Sequence, residues 1–354
     1  MIKKSFIVSR PAAVLAMFFI SSLLVSAPFA LAASPTVGRS GPKPGTVSSP
    51  IVVSLPVIAA PLPVTNPLSG SSLFVSSATQ VQSWINANNS SRSADAQTLR
   101  VIANQPQATW FGNWNSNIQN DVSSLVTSAA TTGTTPILVL YNIPSRDCGS
   151  FSAGGSANAA AYRTWISQVT AGIAGKSAIV ILEPDALANI DCLDAAGKTS
   201  REQLLKDAVA TLKTGAHTTV YLDAGNAHWI GADEMKNRLN ASGIAQTNGF
   251  SLNVSNYFTT SDSISYGTQL SSLLGNKHFV IDTSRNGKGS TPDNAWCNPS
   301  GRALGNLPTT STGNALVDAF LWIKTPGESD GACNGGPSAG VFWLEGALAL
   351  VRNR

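Results

Sequence analysis

Eight short, β-rich apolar runs alternate with amphipathic helical stretches along most of this 354-residue chain, and no other feature narrows its fold as far. The runs are Ser72–Val75, Thr109–Phe111, Pro136–Tyr141, Ala178–Leu182, Thr218–Leu222, Phe250–Val254, His278–Ile281 and Ala319–Ile323. Between them lie helical patterns such as Ala157–Ile173, Asp262–Leu274 and Arg201–Thr214, where Leu204, Leu205, Ala208, Val209 and Leu212 form one stripe. Most of the runs are continuously apolar rather than alternating, as a parallel sheet covered on both faces requires. Repeated βα units of this number predict an α/β fold: a closed (β/α) barrel, or a distorted barrel related to the TIM barrel. An open doubly wound sheet is the alternative, but no GxGxxG follows a strand and no GxxxxGK[ST] is present.

The chain before this pattern has a different character. Lys3, Lys4 and Arg10 precede an apolar run from Ala12 to Ala33, and Ala30-Leu31-Ala32 has the small-x-small form of a signal-peptidase site. Residues 1–32 are read as a secretory signal, with an uncleaved membrane anchor as the competing reading. Residues 33–65, rich in Pro, Ser and Val, are read as an extended linker. A single folded domain is expected over residues 66–354. The formal charge of +4 then loses its meaning. Cleavage removes three basic residues and no acidic one, leaving 20 against 19. Nothing basic remains to attract nucleic acid or anionic lipid. The mature protein is expected to be secreted, free of the membrane and monomeric.

Four cysteines, Cys148, Cys192, Cys297 and Cys333, suggest two disulfides in a secreted chain, and three pairings are open. The nearest-neighbour pairing closes two loops of about 40 residues, worth roughly 3–4 kcal/mol each. A zinc site is disfavoured, since there is no CxxC and only three histidines, His217, His228 and His278.

Only 19 residues are acidic, so their placement carries information. Asp147 follows the run Pro136–Tyr141; Glu183 and Asp185 end the next; Asp223, Asp282 and the pair Glu328 and Asp330 end or follow later ones. In a barrel these positions share the C-terminal face, where active sites lie. Each alone reads first as a helix cap or turn acid. Together they point to glycoside hydrolysis, in which one protonated carboxyl serves the leaving oxygen and a second carboxylate assists water or attacks. Crowded carboxylates raise at least one pKa, which keeps that proton in place. A Mg²⁺ or Ca²⁺ site would use the same side chains, but no phosphate-binding loop accompanies them, and no metal or cofactor is expected.

The tryptophans agree. Trp110 and Trp114 in Thr-Trp-Phe-Gly-Asn-Trp, Trp229 after Asp223, and Trp296 beside Cys297 sit in polar surroundings, where indole faces stack on sugar rings. Trp84, Trp165 and Trp343 fall in helical patterns and are read as core, and Trp322 lies within a strand.

These strings together resemble glycoside hydrolase family 6, the inverting cellulases. Tyr141-x-x-Pro144-x-Arg146-Asp147-Cys148 resembles one family signature and Leu182-Glu183-Pro184-Asp185 the other. Tyr221-Leu-Asp223-Ala-Gly225, Asn253-Val-Ser-Asn256-Tyr257, Ile281-Asp282-Thr-Ser-Arg285-Asn286-Gly287, Trp296-Cys297 and Trp322-Ile-Lys324-x-Pro-Gly-Glu328-x-Asp330-Gly331 match further blocks in order. The resemblance covers about Asn66 to the C-terminus. It implies that Asp185 is the general acid, that Asp147 raises the pKa of that acid and helps move a proton through water, and that Asp330 is the candidate base. It makes Asp223 an acid needed at the sugar cleft, Tyr141 the tyrosine against the distorted ring, and Ser152 the serine holding the nucleophilic water. Trp110, Trp229 and Trp296 become sugar platforms, with Asn256, Lys324 and Glu328 as further binding residues. The cysteine positions fit the nearest-neighbour pairing. Arg146 either anchors its loop, the preferred reading, or holds Asp147 ionised.

The resemblance also bears on the mode of attack on β-1,4-glucan. Exo-acting relatives roof the cleft with two long insertions, one after the Arg-Asp-Cys block and one after the last Asp-Gly. Here Cys148 to Tyr162 is short and small-residue-rich, and about ten residues separate Gly331 from a helix expected near Val341. An open groove and an endoglucanase are therefore expected. A cellobiohydrolase is the near alternative and a non-catalytic glucan-binding protein the distant one, although the latter would be expected to lack Asp185 or Asp147. Asn226 stands where relatives often carry His, and Ala232 where tunnel-type relatives often carry Trp. Asp282-Thr283-Ser284 resembles an aspartic-protease triplet, but that fold is mostly β and needs two.

Overall fold

A computed structural model describes residues 65–354, so the signal segment expected over 1–32 and all but the last residue of the linker expected over 33–65 lie outside the described residues. The elements alternate as the sequence pattern requires. In chain order they are α1 (Gln80–Asn88), α2 (Ser93–Ala103), β1 (Thr109–Phe111), α3 (Ile118–Thr131), β2 (Ile137–Leu140), α4 (Ala159–Ile173), β3 (Ala178–Leu182) and α5 (Ala195–Leu212). Then follow β4 (Thr218–Asp223), α6 (Ala232–Ala241), β5 (Gly249–Leu252), α7 (Thr260–Leu273), β6 (His278–Asp282), β7 (Val317–Leu321) and α8 (Leu344–Arg352). Helix starts are chemically marked: Asn117, Asn158 and Asp194 cap α3, α4 and α5, and Thr259 with Asp262 forms a capping box on α7.

The seven strands are all parallel and lie in the order β1 to β7. Successive side chains point to opposite faces, and both faces are dry. Leu138, Leu140, Val180, Leu182, Val220 and Leu222 pack outward against the helices. Ile137, Val139, Ile179, Ile181, Tyr221, Val280 and Leu321 fill the interior. This is why the strands read as unbroken apolar runs. The interior also holds one polar trio: Asp318 accepts from the Tyr221 hydroxyl at 2.7 Å and pairs with His278 Nδ1 at 2.6 Å.

Two expectations are corrected. The first run, Ser72–Val75, is not an eighth strand but a single parallel bridge from Leu73 to Thr135. That segment crosses the N-terminal ends of the strands: Asn66 Nδ2 donates to Asp318 O at the start of β7, and Phe74 N to Thr135 O before β2. The barrel is consequently a distorted one that does not close by pairing. Its seam, between β7 and β1, is bridged by Ala108 N to Trp322 O at 3.0 Å and by the Trp110 indole N–H to Ile323 O at 2.8 Å. The last helix starts at Leu344 rather than near Val341, because Phe342 first pairs back to Glu328. Trp322 lies just past β7, fully buried against α1, α2 and α8. Among the described residues no helix is long and apolar enough to cross a membrane.

Candidate active site

The strand C-termini place every carboxylate that the sequence singles out on one face, and the backbone there is held in unusual conformations. Asp147, Glu183, Asp185, Asn253 and Ser255 all have positive φ, between 49° and 67°. Such conformations are costly for non-glycine residues and cluster at functional sites.

The acids then separate by what they bond. Glu183 is buried and accepts from the backbone N–H groups of Asn142 and Ile143 at 2.9–3.0 Å; burial pushes its carboxyl up to about 7. Asp282 is likewise buried, taking N–H groups from Ser255, Ser284 and Lys324. Both tie strand ends together and have no free oxygen to offer a ligand. Asp223 accepts from Asp185 N, Gly225 N and the Ser251 hydroxyl, each at 3.0 Å.

Asp185 is different. Its carboxyl takes no hydrogen bond from the described residues, and it is pushed well above the usual carboxylate range by burial and by the charges of Asp223, Asp147 and Asp330. Of the coupled pair, Asp223 has three donors to hold a negative charge while Asp185 has none. Asp185 therefore keeps the proton. Asp147 accepts from Ser152 N at 2.7 Å, and burial raises its pKa as well. Ser152 thus meets Asp147 through its backbone N–H.

Asp330 is the counterpart. Burial works against its charge, but Arg285 and Lys324 outweigh burial and hold the carboxyl below its ordinary value. Its Oδ2 accepts from Arg285 Nη1 at 2.9 Å, Asn298 N at 3.0 Å and the Tyr257 hydroxyl at 3.1 Å, while Lys324 Nζ lies 3.7 Å from Oδ1. Arg285 also stacks over Tyr257 at 4.4 Å. This cage was not assigned a role from sequence. Its one legible signal was an arginine three residues beyond a strand-end acid, in a chain with few charges.

Around the carboxylates lie the aromatic candidates. Tyr141 meets Trp110 edge-on at 5.3 Å, and Trp110 is fixed across the seam by its indole N–H. Trp229 and Trp296 are half-exposed, as platforms must be. Trp114, also exposed, rests over Arg146 at 5.1 Å. Lys324 is buried and donates to Ser329 O. Glu328 accepts from Gln80 at 2.7 Å and, with Arg285 and Trp343, lines a cavity of about 560 Å³ beside the Asp330 cage. Asn256, partly buried, follows the strained Ser255 and accepts from Tyr257 N. Asn226 turns inward, its Oδ1 accepting from His228 N, and Ala232 begins α6.

Arg146 resolves in favour of an anchor. It donates to Tyr141 O, Ser152 O, Ala153 O and Asn113 Oδ1, and among the described residues no ion pair joins it to Asp147. The disulfides are Cys148–Cys192 and Cys297–Cys333. They tether the Asp147 and Asp330 loops, one each.

A parallel half-barrel whose strand ends set one carboxyl raised by burial and its neighbours' charges together with one held ionised by two cations, ringed by half-exposed tryptophans, defines an α/β glycoside hydrolase. The protein-family model for glycosyl hydrolases family 6 matches residues 68–354. The chain belongs to that family. It is 51% identical over 261 residues to endoglucanase A of Cellulomonas fimi, covering 73% of this chain and 57% of that protein. It is 46% identical over 259 residues to endoglucanase 1 of Streptomyces halstedii, covering 71% and 79%. Among solved structures it is similar to the endoglucanase Cel6 from Mycobacterium tuberculosis in complex with a methyl-cellobiosyl-4-deoxy-4-thio-β-D-cellobioside. The TM-score is 0.78 at 44% identity, covering 81% of this chain and 99% of that one. The chain thus spans little more than half the length of its Cellulomonas relative.

Proposed function

We propose that this chain is a secreted, monomeric endo-β-1,4-glucanase that cleaves with inversion. Asp185 donates its proton to the leaving glycosidic oxygen while a water attacks the anomeric carbon from the opposite face. The Asp330 side receives the proton of that water, and Asp147 with Ser152 orders the path it takes. Tyr141 and Trp110 bound the reacting sugar, and Asp223 holds the negative charge that keeps Asp185 protonated. Trp229, Trp296, Asn256, Lys324 and Glu328 bind the neighbouring rings. One observation carries the reading: a carboxyl without hydrogen bonds, raised by burial and three other carboxylates, stands opposite one held ionised by Arg285 and Lys324. Paired acids whose environments push their pKa values apart are the mark of acid and base roles.

A depressed pKa makes Asp330 a weak base. Its larger contribution on this reading is a fixed negative charge beside the developing oxocarbenium ion, with the proton passing through water. Endo attack is supported by the short loops: thirteen residues lead from Gly331 to α8, and fourteen from Cys148 to Tyr162. Its relatives named as endoglucanases support it too. Secretion rests on the residue 1–32 pattern and the two disulfides, and a linker over 33–65 with one catalytic domain over 66–354 completes the arrangement.

The test is Asp185→Asn. Hydrolysis of unactivated β-1,4-glucan is expected to fall by at least about 10³-fold with binding kept. Because a buried acid becomes an amide, the melting temperature should hold. Near wild-type turnover refutes the assignment. Rapid viscosity loss on carboxymethylcellulose, relative to reducing-end release, separates endo from exo action.

A further inference from the structure

The cavity of about 560 Å³ beside the Asp330 cage has the size of a small-molecule site, about 300–1,000 Å³. One wall is the loop between β6 and β7, from Thr291 to Arg302; the other is the segment from Gly327 into α8. Tyr257 and Arg285, which hold Asp330, reach it from within, and Glu328 stands at it too. Asp147, Asp185, Trp110, Trp229 and Trp296 do not line it. It is a separate space on the Asp330 side of the site.

Its one large aromatic wall outside the cage is Trp343. The helical pattern reads this residue as core, yet it stands just before α8 and is only partly buried. Its ring lies against Gly346, where a Cβ would come within 2.4 Å; any larger residue there would displace the indole. The backbone beside it is pinned. Trp343 N donates to Gly327 O at 2.7 Å. Gln80 donates to Glu328 at 2.7 Å and to Gly340 O at 2.8 Å, and accepts from Phe342 N at 3.1 Å. The polar lining is mixed, with Arg285 and Arg302 against Glu328, Asp293 and Glu345. Arg285 is 3% exposed, and its Nε has no hydrogen-bond partner among the described residues. An apolar ring face, charges of both signs and an unsatisfied buried donor suit a neutral polyhydroxylated ring better than an ion.

We propose that this cavity is a further sugar subsite, in which Trp343 stacks a glucosyl ring of a β-1,4-glucan chain continuing past Glu328. The proposal rests on the glucanase reading above. Arg285 Nε, Arg302 and Glu328 offer hydrogen bonds to its hydroxyls. A ring held this far from the reacting bond is bound equally in the ground and transition states, so the subsite acts on KM and leaves kcat alone. It acts only on chains long enough to reach it.

The experiment measures kcat and KM of wild type, Trp343→Ala and Gly346→Ala on cellotetraose and cellohexaose, with thermal unfolding and cellobiose inhibition alongside. Trp343→Ala is expected to raise KM for cellohexaose about two- to tenfold at constant kcat, with the cellotetraose constants moved less than twofold. Gly346→Ala displaces the indole while placing a better helix former in α8, so it should reproduce the effect without a loss of melting temperature. That second variant keeps the test open if Trp343→Ala folds poorly. Equal losses on both substrates overturn the proposal and make Trp343 a structural residue. Unchanged cellohexaose constants overturn it as well; if cellobiose inhibition is then relieved in the variants, a free saccharide occupies the cavity instead of the chain. A wild-type enzyme inactive on every β-1,4-glucan would sink the glucanase reading itself, an outcome distinct from these.

Discussion

Replacing Arg285 by Gln perturbs the best-defined ion pair in the molecule. The guanidinium is 3% exposed, and it bonds Asp330 at 2.9 Å and Ser255 O at 2.6 Å. Glutamine is shorter and uncharged, so Asp330 is left with Tyr257, Asn298 N and a more distant Lys324. Removing one partner of a buried pair costs about 3–5 kcal/mol, most of it the penalty on the charge left behind. For a folded unit of about 290 residues the unfolding entropy is about 0.6 kcal/mol per kelvin, so the melting temperature should drop by about 5–8 °C. The sign with pH follows from the depressed carboxyl. Its stabilisation is full above the unfolded pKa, near 4, and is lost as pH falls through the lower folded value. The gap between wild type and variant should thus be widest at neutral pH and narrow in acid. Activity should shift too, since burial, no longer outweighed, raises the Asp330 pKa. The acid limb of kcat/KM on a soluble cello-oligosaccharide then moves to higher pH. Thermal unfolding at several pH values and a pH–rate profile measure both effects. A melting temperature within 2 °C of wild type together with an unmoved acid limb would refute the reasoning. A lowered melting temperature with an unmoved limb would make Asp147 the group that must be ionised.

Other perturbations test other parts. Asp223→Asn keeps an acceptor for Asp185 N–H but removes a repelling charge, so the Asp185 pKa falls and the alkaline limb of the profile moves to lower pH; a limb that stays or rises contradicts the coupling. Replacing Cys297 and Cys333 by Ser opens a loop of 36 residues, which should cost about 3–4 kcal/mol in denaturant unfolding, with activity reduced as Asn298 loosens from Asp330. Trp322→Ala, at a fully buried site packed against α1, α2 and α8, should cost about 3–5 kcal/mol in denaturant unfolding; a loss below about 1 kcal/mol contradicts its place in that core.

Much of this was legible in sequence, for reasons the structure makes plain. Strands dry on both faces must be apolar at every position, so seven of the eight runs name real strands to within a residue or two at most ends. Carboxylates after those strands fall on one face by topology alone. The first run, Ser72–Val75, looks the same in sequence, yet it makes only the single Leu73–Thr135 bridge. Local pattern likewise could not sort the acids; only the family resemblance set Asp185 apart. Glu183 and Asp185 stand two residues apart at one strand end, yet the first is consumed by the N–H groups of Asn142 and Ile143 and the second is left free. Nor could it find the Arg285–Tyr257–Asn298 cage, whose members lie 32 to 73 residues from Asp330, or the cavity that Trp343 lines beside it.

The division follows the range of the forces. Hydrophobic periodicity and strand-end position are local properties of the chain, so the sequence by itself determined a parallel α/β barrel with its acids on one rim. Protonation depends on burial and on charges brought near from distant segments. Only the tertiary structure decided that Asp185 holds a proton and that Asp330 stays ionised.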